Sequence, residues 1–571
     1  MERVKLSRKY GHVQVLVVGA GPAGLVAGMT LARSGIGVLV IDKREGVPAL
    51  SRALVISTRG MELMRRWGLE DAVRAGAPDV IPRAWVTRAL ACGEGTEMPL
   101  GHPSDEEAAA VSPSRPAWAP QDHHEPILLS HLRQMPAATI RFRCELTELR
   151  QDDAGVHAVL LDRATATPSE VVAQYVIAAD GAHSTVREQL GIGMDGPGHL
   201  ADYERTEFFA PLTGAAGDRR YALYVITRPD AAGILAQRGR GDRWGISRER
   251  TPGQPRFADL GERELTDLIA RAAGIADLPV CIERLSSFPF AAQIADRYRN
   301  GRGFLVGDAA HRMTPRGGTG MNTAIQDSFD LGWKLAWVLR GWAPPSLLDS
   351  YQTERRPIAL HNVQRSAQPA GARATTGEAL PWDLNGRLAH HWIPASAPQI
   401  STLDLVGDGL TLLAGPAIRG GRASKMTIAD PSRSQSICLM PRLLTRSNYG
   451  QTERCWSDPT GERPAGGPAT THGSGRAAPD CLQACPRCRP PPPRPPSGDS
   501  ANLSRSWPGK GYLDPEPDKA LARALRERGL GRNPLSDVVP VSVLARLPVA
   551  CSLKLAAGGR GGGCASRDCL R

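Results

Sequence analysis

Three glycines near the N-terminus have the spacing of a dinucleotide site. Gly19, Gly21 and Gly24 follow an apolar run at residues 13–18 and precede an apolar pattern at residues 25–34 that is typical of a helix. In G-x-G-x-x-G after a strand, the first glycine allows a tight turn, the second lets a pyrophosphate approach the backbone, and the third lets helix and strand pack closely. The N–H groups that start the helix would then face the phosphates. The pattern predicts a dinucleotide-binding βαβ unit.

An acidic residue ends the second predicted strand of this unit. Asp42 follows apolar residues 37–41 and lies eighteen residues after Gly24, where a carboxylate would accept hydrogen bonds from a ribose diol. A solvated turn residue is the alternative reading of this position. Besides the glycines, we predict nucleotide contacts from Pro22, Ala23, Asp42 and Lys43.

Two later strands also end where an acidic residue adjoins a glycine. These pairs are Asp180-Gly181, followed by Ser184 and Arg187, and Gly307-Asp308. A glycine-rich loop then carries Gly320, Met321 and Asn322 into a helical pattern at residues 323–339. Three ordered motifs at strand or helix ends predict a nucleotide site built from separated parts of the chain.

In this order the motifs resemble those of the single-component flavin-dependent aromatic hydroxylases, the phenol hydroxylase-like family. Residues 52–68, beginning at Arg52, and the segment around Gln121 are similar to family segments beside the flavin ring. The resemblance covers residues 12–415 and points to the hydroxylases of aromatic polyketides. It implies an α/β fold in which a Rossmann-like FAD-binding domain carries an inserted antiparallel-sheet substrate domain and no separate nicotinamide domain.

The resemblance implies a monooxygenase reaction in two halves. NADPH or NADH reduces FAD, and O2 then forms a flavin hydroperoxide that hydroxylates an electron-rich aromatic polyketide or related phenol. The cofactor supplies the difficult chemistry, and the protein binds, orients and excludes water. Two alternatives stay open within the family: an FAD-binding but inactive remnant that has lost its C-terminal domain, and a Baeyer–Villiger-type oxygenase. A protein that binds a partner through its basic tail is a third alternative.

The same resemblance implies roles for the motif residues. Asp308 would bond the ribityl chain, and the N–H groups of Gly320, Met321 and Asn322 would stabilise negative charge on the pyrimidine ring. Asp180 and Gly181 would support both FAD and the nicotinamide nucleotide, with Arg187 on the NAD(P)H side. Arg52 would approach the flavin ring or the hydride donor, or form a surface salt bridge, and Gln121 would lie near the isoalloxazine. No residue is assigned as a catalytic base.

Histidines next to the motifs give no metal prediction. His183 and His311 adjoin motif residues, but packed histidines at helix ends are the alternative for both. His123 and His124 are adjacent in sequence, so their side chains point in different directions, and no third ligand has zinc spacing. We predict that this pair lies on the surface and that the protein holds no metal.

The resemblance also implies a domain organisation. The predicted segments are a discontinuous FAD-binding domain at 12–85, 110–199 and 285–370, a substrate-binding domain at 86–109 and 200–284, the start of a thioredoxin-like C-terminal domain at 387–420, and an atypical tail at 421–571. The thioredoxin-like domain of such hydroxylases lacks redox cysteines and mostly packs or dimerises, so a homodimer is an option.

Charge separates the tail from the rest of the chain. The net charge is +12, and residues 421–571 hold 23 Lys and Arg against 12 Asp and Glu, so residues 1–420 are close to neutral. The tail also holds 8 of the 11 cysteines and 19 of the 47 prolines. GC-rich codons read out of frame would produce this composition, and we hypothesise a frameshift; a proline-rich arm or a zinc module is the alternative.

The composition of residues 1–420 favours a particular class of protein. Because the basic excess is confined to the tail, we predict no nucleic-acid partner. Apolar stretches of about 18 residues are missing, so no membrane partner is expected. Only three cysteines precede residue 421, too few for a disulfide framework, which favours a cytoplasmic protein.

Overall fold

The computed structural model describes residues 11–47, 52–393 and 399–407, together with the backbone of two short strands further on, Thr411–Ala414 and Gln435–Cys438. The strands are β1 (His12–Val18), β2 (Val38–Ile41), β3 (Ile81–Thr87), β4 (Thr96–Pro99), β5 (Ala138–Arg141), β6 (Cys144–Asp152), β7 (Gly155–Asp162), β8 (Thr167–Ala178), β9 (Met194–Asp195), β10 (Ala201–Phe209), β11 (Tyr221–Ile226), β12 (Gly233–Gln237), β13 (Arg243–Glu249), β14 (Cys281–Phe290), β15 (Gln293–Ala295), β16 (Arg299–Asn300), β17 (Gly303–Leu305), β18 (His311–Arg312), β19 (Thr411–Ala414) and β20 (Gln435–Cys438).

The helices of the described residues connect and cover these strands. They are α1 (Pro22–Arg33), α2 (Thr58–Arg66), α3 (Glu70–Arg74), α4 (Asp105–Val111), α5 (Gln121–Arg133), α6 (Thr185–Gln189), α7 (Thr213–Ala216), α8 (Glu262–Ala273), α9 (Gly320–Leu339), α10 (Asp349–Ala367) and α11 (Thr376–Asp383), with short 3-10 turns at Phe257–Asp259, Gly307–Ala309, Pro345–Leu348 and Pro369–Arg373. Helix α9 starts at Gly320, three residues before the predicted helical pattern at 323–339.

The first sheet contains the βαβ unit. Its order is β16-β17-β8-β1-β2-β5, and the antiparallel strands β7 and β6 continue from β8. Strand β1 pairs in parallel with β2 and β8, and its last four residues are buried. A continuous apolar strand is expected where helices cover both faces of a parallel sheet. The helices α1 and α9 pack so closely that a Cβ atom on Gly332 would lie 2.8 Å from Cβ of Thr30.

The second sheet has the order β14-β10-β13-β12-β11-β3-β4. All its pairs are antiparallel except β3 with β11. Along β10, Phe208 packs into the same buried cluster as Leu265 and Ile269 of α8. Side chains alternate between the two faces of a strand, so the residues at 203, 205 and 207 point away from α8.

The second sheet crosses two of the predicted domain boundaries. It begins at Ile81, before the boundary at 85/86, and it ends at Phe290, after the boundary at 284/285. Strand ends differ from boundaries read out of sequence by a few residues because pairing, rather than the motif, decides where a strand stops.

The C-terminal predictions fall mostly outside the described residues. Strands β19 and β20 pair in parallel, and β20 lies within the predicted tail. The frameshift hypothesis concerns residues that lie almost entirely outside the described part of the chain, whereas residues 387–393, 399–407 and the backbone of 411–414 of the predicted thioredoxin-like segment are described. Among the described helices, none is both long and apolar enough to cross a membrane.

Candidate functional site

The glycine motif forms a turn that only glycine can occupy at two of its three positions. Gly19 has φ +108°, and a Cβ atom there would overlap the carbonyl oxygen of Ala179. A Cβ atom on Gly24 would overlap the carbonyl oxygen of Gly19. A Cβ atom on Gly21, by contrast, would meet no protein atom within 4 Å. Gly19 and Gly24 therefore maintain the turn, whereas Gly21 keeps one side of the backbone open for close approach.

The start of α1 presents free backbone donors at this turn. Gly21 is the N-cap, no side chain caps the helix, and Pro22 occupies the first turn, where a missing N–H costs nothing. Ala23 contacts the loop of Gly307, since a Cβ atom on Gly307 would lie 3.1 Å from Cβ of Ala23. The structure thus brings the first glycine motif and the Gly307-Asp308 motif together at one helix N-terminus, which favours bound anions.

Asp42 is buried at the end of β2, and both of its carboxylate oxygens are engaged. Oδ2 accepts a hydrogen bond from the N–H of Ala20 at 2.8 Å, and Arg44 donates to both oxygens from its guanidinium and to Oδ1 from its backbone N–H. Burial opposes ionisation, but Arg44 and Ala20 outweigh it, so the pKa of Asp42 lies below its usual value. These bonds use the carboxylate's four lone-pair directions, so a ribose hydroxyl would reach Asp42 only if Arg44 moves. Lys43 is exposed beside it.

Asp180 organises the turn after β8. Its carboxylate accepts hydrogen bonds from Ser184 Oγ at 2.5 Å and from the N–H of Val186 at 3.1 Å, which caps α6. Burial raises the pKa of Asp180 although these bonds favour the charged form. Gly181 follows with φ +85°, and a Cβ atom there would meet no protein atom within 4 Å. Asp180 therefore caps α6, and Gly181 leaves the space beside its backbone open.

Arg187 connects the two acid–glycine motifs. Its side chain is buried, and Nη1 donates to the carbonyl oxygens of Ala182 and Ala309, both at 3.3 Å. This places Arg187 between the two loops, with donors that fix their separation. Asp308, between those loops and α1, is exposed, and no hydrogen bond joins its carboxylate to any described residue.

The start of α9 is tied to the segment that follows Arg52. Asn322 is buried; its Oδ1 accepts from the N–H of Ser57 at 2.8 Å, and its Nδ2 donates to the carbonyl oxygens of Val55 and Gly318. The helix has no side-chain cap and no acidic residue in its first turn. The N–H groups of Gly320 and Met321 therefore start a helix whose positive end is not compensated locally.

Gln121 and Glu125 lie one turn apart on α5 beside this segment. Gln121 Oε1 accepts from the N–H groups of Arg52 and Ala53 at 3.2 and 3.3 Å, and Nε2 donates to Glu125 Oε1 at 2.6 Å. Glu125 is fully buried, and its Oε2 has no hydrogen-bond partner among the described residues. Burial raises the pKa of Glu125 to about 7, and the hydrogen bond from Gln121, together with nearby Arg44 and Arg52, limits the rise. This buried carboxyl oxygen lies near Arg44 and Arg52, and it can form a hydrogen bond with a hydroxyl group.

A buried ionic network supports the loop before α9. His311 Nε2 lies 2.7 Å from Asp327 Oδ2, and Arg355 Nε donates to Asp327 Oδ1 at 2.8 Å. Burial opposes the charge of Asp327, but Arg355 and His311 together lower its pKa. His311 is therefore a packed histidine, which the sequence left open as the alternative to a chemical role. His183, by contrast, is exposed.

The predicted surface position of the histidine pair is wrong for one member. His124 is fully buried, with Nδ1 3.3 Å from the carbonyl oxygen of Ala119, and burial lowers its pKa to about 4. It lies on α5, whose buried face also carries Leu128 and Leu132, so helix amphipathicity accounts for its burial. Within the described ranges, no group of three or more His, Cys, Asp or Glu side chains could hold a metal ion.

The face of the second sheet opposite α8 lies against the first-sheet region. Arg243 of β13 donates to Asp122 of α5 at 2.6 Å, and Arg316, in the loop before α9, donates to Glu249 at 2.7 Å. On the same face an aromatic trio of Tyr203, Phe288 and Phe290 approaches that loop: the rings of Tyr203 and Phe290 stack at 4.5 Å, and Arg316 lies 5.5 Å from the ring of Phe290. This face of the second sheet therefore presents aromatic rings toward the loop that precedes α9.

A buried charge cluster occupies the other end of this face. Glu207 is 1% exposed and accepts hydrogen bonds from Arg238 at 3.0 Å and Arg243 at 2.9 Å. Arg205 approaches the same carboxylate with 3.4 Å between Nε and Oε1. Three guanidinium groups thus surround one buried carboxylate, an arrangement whose burial costs desolvation energy.

A cavity lies next to the loop that starts α9. It measures about 580 Å³ including space open to solvent, and its lining includes Gly318, His102, His361, Trp382 and Arg365. The rings of His361 and Trp382 stack at 3.9 Å, and burial lowers the pKa of His102 to about 4. The cavity therefore presents neutral aromatic surfaces close to the loop that precedes α9.

Comparison with known proteins identifies the family. The model of the FAD binding domain family matches residues 12–366, more than half of the chain. Tetracenomycin B2 monooxygenase-dioxygenase of Streptomyces olivaceus is 33% identical over 457 residues, covering 71% of this chain and 84% of that protein. Aklavinone 12-hydroxylase of Streptomyces peucetius is 34% identical over 451 residues, covering 71% and 91%. The chain belongs to the FAD-dependent aromatic hydroxylases.

A solved structure of a hydroxylase agrees with this family. Aklavinone-11 hydroxylase in a ternary complex with FAD and aklavinone matches with a TM-score of 0.63 and 32% identity, over 71% of this chain and 84% of that one. The predicted family, fold class and cofactor are therefore confirmed: the chain is a flavin-dependent monooxygenase whose cofactor is FAD.

Two residues of the hydroxylase's candidate site were missed in the sequence. Arg44 lies two residues after Asp42, and Glu125 lies four residues after Gln121. The i, i+4 spacing of Glu125 from a predicted site residue on a predicted helix was the available signal, because such residues share one face. Nothing in the spacing of Arg44 distinguishes it from a solvated arginine.

Proposed function

We propose that this enzyme hydroxylates an aromatic polyketide or a related phenol, with NADPH or NADH as electron donor and O2 as oxygen source. The observation that carries the proposal is the convergence of three glycine-bearing turns, at Gly19–24, Gly181 and Gly307, on the N-termini of α1 and α9. The relatives' names supply the substrate class, since tetracenomycin B2 and aklavinone are aromatic polyketides.

The residues present fit FAD on their own chemistry. Gly21 leaves the backbone open for a pyrophosphate, and the uncapped N-terminus of α1 supplies donors for it. Glu125, with an unpaired buried Oε2, would bond a hydroxyl of the nucleotide or ribityl chain. Asp308, exposed next to Gly307, would bond the ribityl chain, and Asp42 would bond the ribose after Arg44 moves.

When bound, FAD supplies the redox chemistry: it accepts hydride from NADPH or NADH and passes the electrons on to O2. The chain's own contribution is positioning and electrostatics. The N–H groups at Gly320, Met321 and Asn322, at the uncompensated end of α9, would stabilise negative charge on the pyrimidine ring. Asn322 holds this helix end against residues 55–57, which belong to the same flavin-side segment as Arg52. Asp180 and Arg187 would act on the NAD(P)H side by fixing the loops that the nucleotide meets.

The domain division remains part of this proposal. An FAD-binding domain at 12–85, 110–199 and 285–370 would hold the cofactor, and the second sheet, with its core at 86–109 and 200–284, would cover the substrate. A homodimer through the C-terminal region is proposed only as an option. We further propose that neither nucleic acid nor a membrane is a partner and that the enzyme works in the cytoplasm.

Stopped-flow absorbance tests the proposal. A hydroxylase of this type should show flavin reduction by NADPH that an aromatic substrate accelerates, followed by consumption of one O2 and formation of a product heavier by one oxygen atom. A panel of anthracyclinone and naphthacenequinone compounds is a suitable probe set.

The variant lacking residues 421–571 is the control for the tail: unchanged FAD content and activity would assign the reaction to residues 1–420. NADPH oxidation that yields only hydrogen peroxide with every compound would contradict the proposed function and favour the inactive remnant; a lactone or ester product would favour the Baeyer–Villiger alternative.

A further inference from the structure

Arg205 stands apart from the other buried arginines of the second sheet. It is 6% exposed, and its Nε and Nη2 have no hydrogen-bond partner among the described residues. Its one ion pair, with Glu207, has 3.4 Å between Nε and Oε1 and lacks hydrogen-bond geometry. Glu207 instead accepts hydrogen bonds from Arg238 and Arg243. Arg205 is therefore a buried cation whose Nε and Nη2 find no acceptor in the described part of the chain, which is costly and unusual.

The position of Arg205 directs those donors toward the substrate side. On β10 its neighbours Glu204 and Phe208 face α8 and the Phe257 turn: Glu204 accepts from the N–H of Phe257 at 2.8 Å, and Phe208 belongs to the α8 cluster. Arg205 must then point to the opposite face. The charge of Arg52, in the flavin-side segment, lies close enough to lower the pKa of Arg205 further, after burial and Arg238, so this face of the second sheet is turned toward that segment.

The surroundings of Arg205 suit an aromatic anion. It pairs across the sheet with Ser247 and Ser286, which are small, and Tyr203 and Phe288 lie two residues along the same face of their strands. Burial and the neighbouring Arg238 lower the pKa of Arg205 to about 10, so it stays charged at neutral pH and would gain from an incoming negative charge. A guanidinium with free donors binds a carboxylate or phenolate oxygen strongly in a buried site.

We propose that Arg205 binds an anionic oxygen of the aromatic substrate, a carboxylate or a phenolate, between the second sheet and the FAD-binding domain. This inference rests on the proposed function and narrows its substrate class to aromatic acids or readily ionised phenols. Arg205 is a substrate-binding residue in this account, and Glu207, Arg238 and Arg243 are the scaffold that holds it.

Calorimetric titration of the FAD-loaded full chain tests the proposal with two matched pairs of probes. One pair is an anthraquinone carboxylate and its methyl ester, and the other is a hydroxyanthraquinone and its methyl ether. The native enzyme should bind the ionisable member of at least one pair about tenfold to a hundredfold more tightly than its neutral mate. The pair that shows the preference identifies the anion as carboxylate or phenolate. R205M should reduce that preference to less than about threefold, and R205K should keep part of it.

Arg248 is the matched control, because it lies on the opposite face of the same sheet. It donates to Glu204 at 2.7 Å and lies 4.3 Å from the ring of Phe257. R248M should keep the full preference for the anion while its melting temperature falls. R205M should keep its FAD content and melt no lower than the native enzyme, because it removes a buried charge that has no hydrogen-bonded partner.

Three outcomes would overturn the proposal. They are a native enzyme with no preference in either pair, an R205M variant with the native preference, and an R205M variant that melts as low as R248M or does not fold. The last would show that Arg205 serves the Glu207 cluster. Binding is measured without turnover, so an Arg205-dependent preference in a protein that hydroxylates nothing would leave this inference standing and remove the proposed function; hydroxylation with an unchanged preference in R205M would do the reverse.

Discussion

The FAD-binding region and the second sheet both place polar groups inside a folded core, but they do so with different kinds of groups. In the FAD-binding region the polar groups are backbone N–H groups at turns and helix ends, and glycines such as Gly19 and Gly24 shape them. In the second sheet they are long charged side chains: Glu207 is surrounded by Arg205, Arg238 and Arg243. The first device depends on steric space and the second on charge balance, so each should fail under a different kind of substitution.

The largest expected effect is steric. Gly24→Ala places a Cβ atom on the carbonyl oxygen of Gly19, so the turn must open, and we expect loss of nearly all bound FAD together with a strong fall in the melting temperature. Gly21→Ala is the matched control, since its Cβ atom meets no protein atom within 4 Å. It should fold normally and lose FAD affinity alone, by about tenfold or more. Flavin absorbance per chain and thermal melting measure both effects. Equal behaviour of the two variants would contradict the assignment of Gly21 to the ligand side.

The second effect is electrostatic and belongs to the second sheet. Glu207→Gln leaves three guanidinium groups around a neutral amide, and we expect the free energy of unfolding to fall by about 3–5 kcal/mol in urea titrations. Glu283→Gln is the control, because Glu283 is 28% exposed and shares Arg243 with other carboxylates; it should cost less than about 1 kcal/mol. A change of similar size in both variants would show that burial of the cluster does not matter.

The third effect depends on pH and lies on the FAD side. Burial raises the pKa of Glu125 from 4.5 to about 7, so folding opposes its ionisation. The contribution of Glu125 to the free energy of unfolding is fully present below pH 4.5, and it is lost as the pH rises through about 7. Glu125→Gln removes the penalty, and in FAD-free protein it should exceed the native enzyme in unfolding free energy by about 2–4 kcal/mol at pH 8, with little difference at pH 4.5. Glu148→Gln is the control: because Glu148 is exposed, this substitution should not produce such a pH-dependent difference. A difference between Glu125→Gln and native protein that does not vary with pH would contradict this account.

The smallest effect should come from an exposed ion pair in the turn between β13 and α8. Arg256 pairs with Asp259 at 2.6 Å, but the two side chains are 56% and 43% exposed. Arg256→Ala should leave the urea midpoint of unfolding unchanged within error, because solvent screens this pair. A clear fall in that midpoint would mean that exposed and buried ion pairs contribute alike to stability, contrary to the expectation for Glu207.

The contrast also explains what could be predicted from the sequence. The glycine turns, Asp180 and the start of α9 could be located because each depends on residues adjacent in the chain, where steric rules leave a readable pattern. The cluster of Arg205, Glu207 and Arg243 could not, because β10, β12, β13 and α5 meet only through the register of a folded sheet. Burial of His124 could not be read from its adjacency to His123, because the two side chains leave α5 in different directions and only His124 lies on the buried face of that helix.

The amount of flavin in the purified enzyme decides whether separated turns of this chain form one site for FAD. The full-length protein should carry close to one FAD per chain, released on denaturation and taken up again on refolding with added FAD, and Gly21→Ala should show weaker uptake at the same melting temperature. Folded native protein that is colourless and takes up no added FAD would contradict the account.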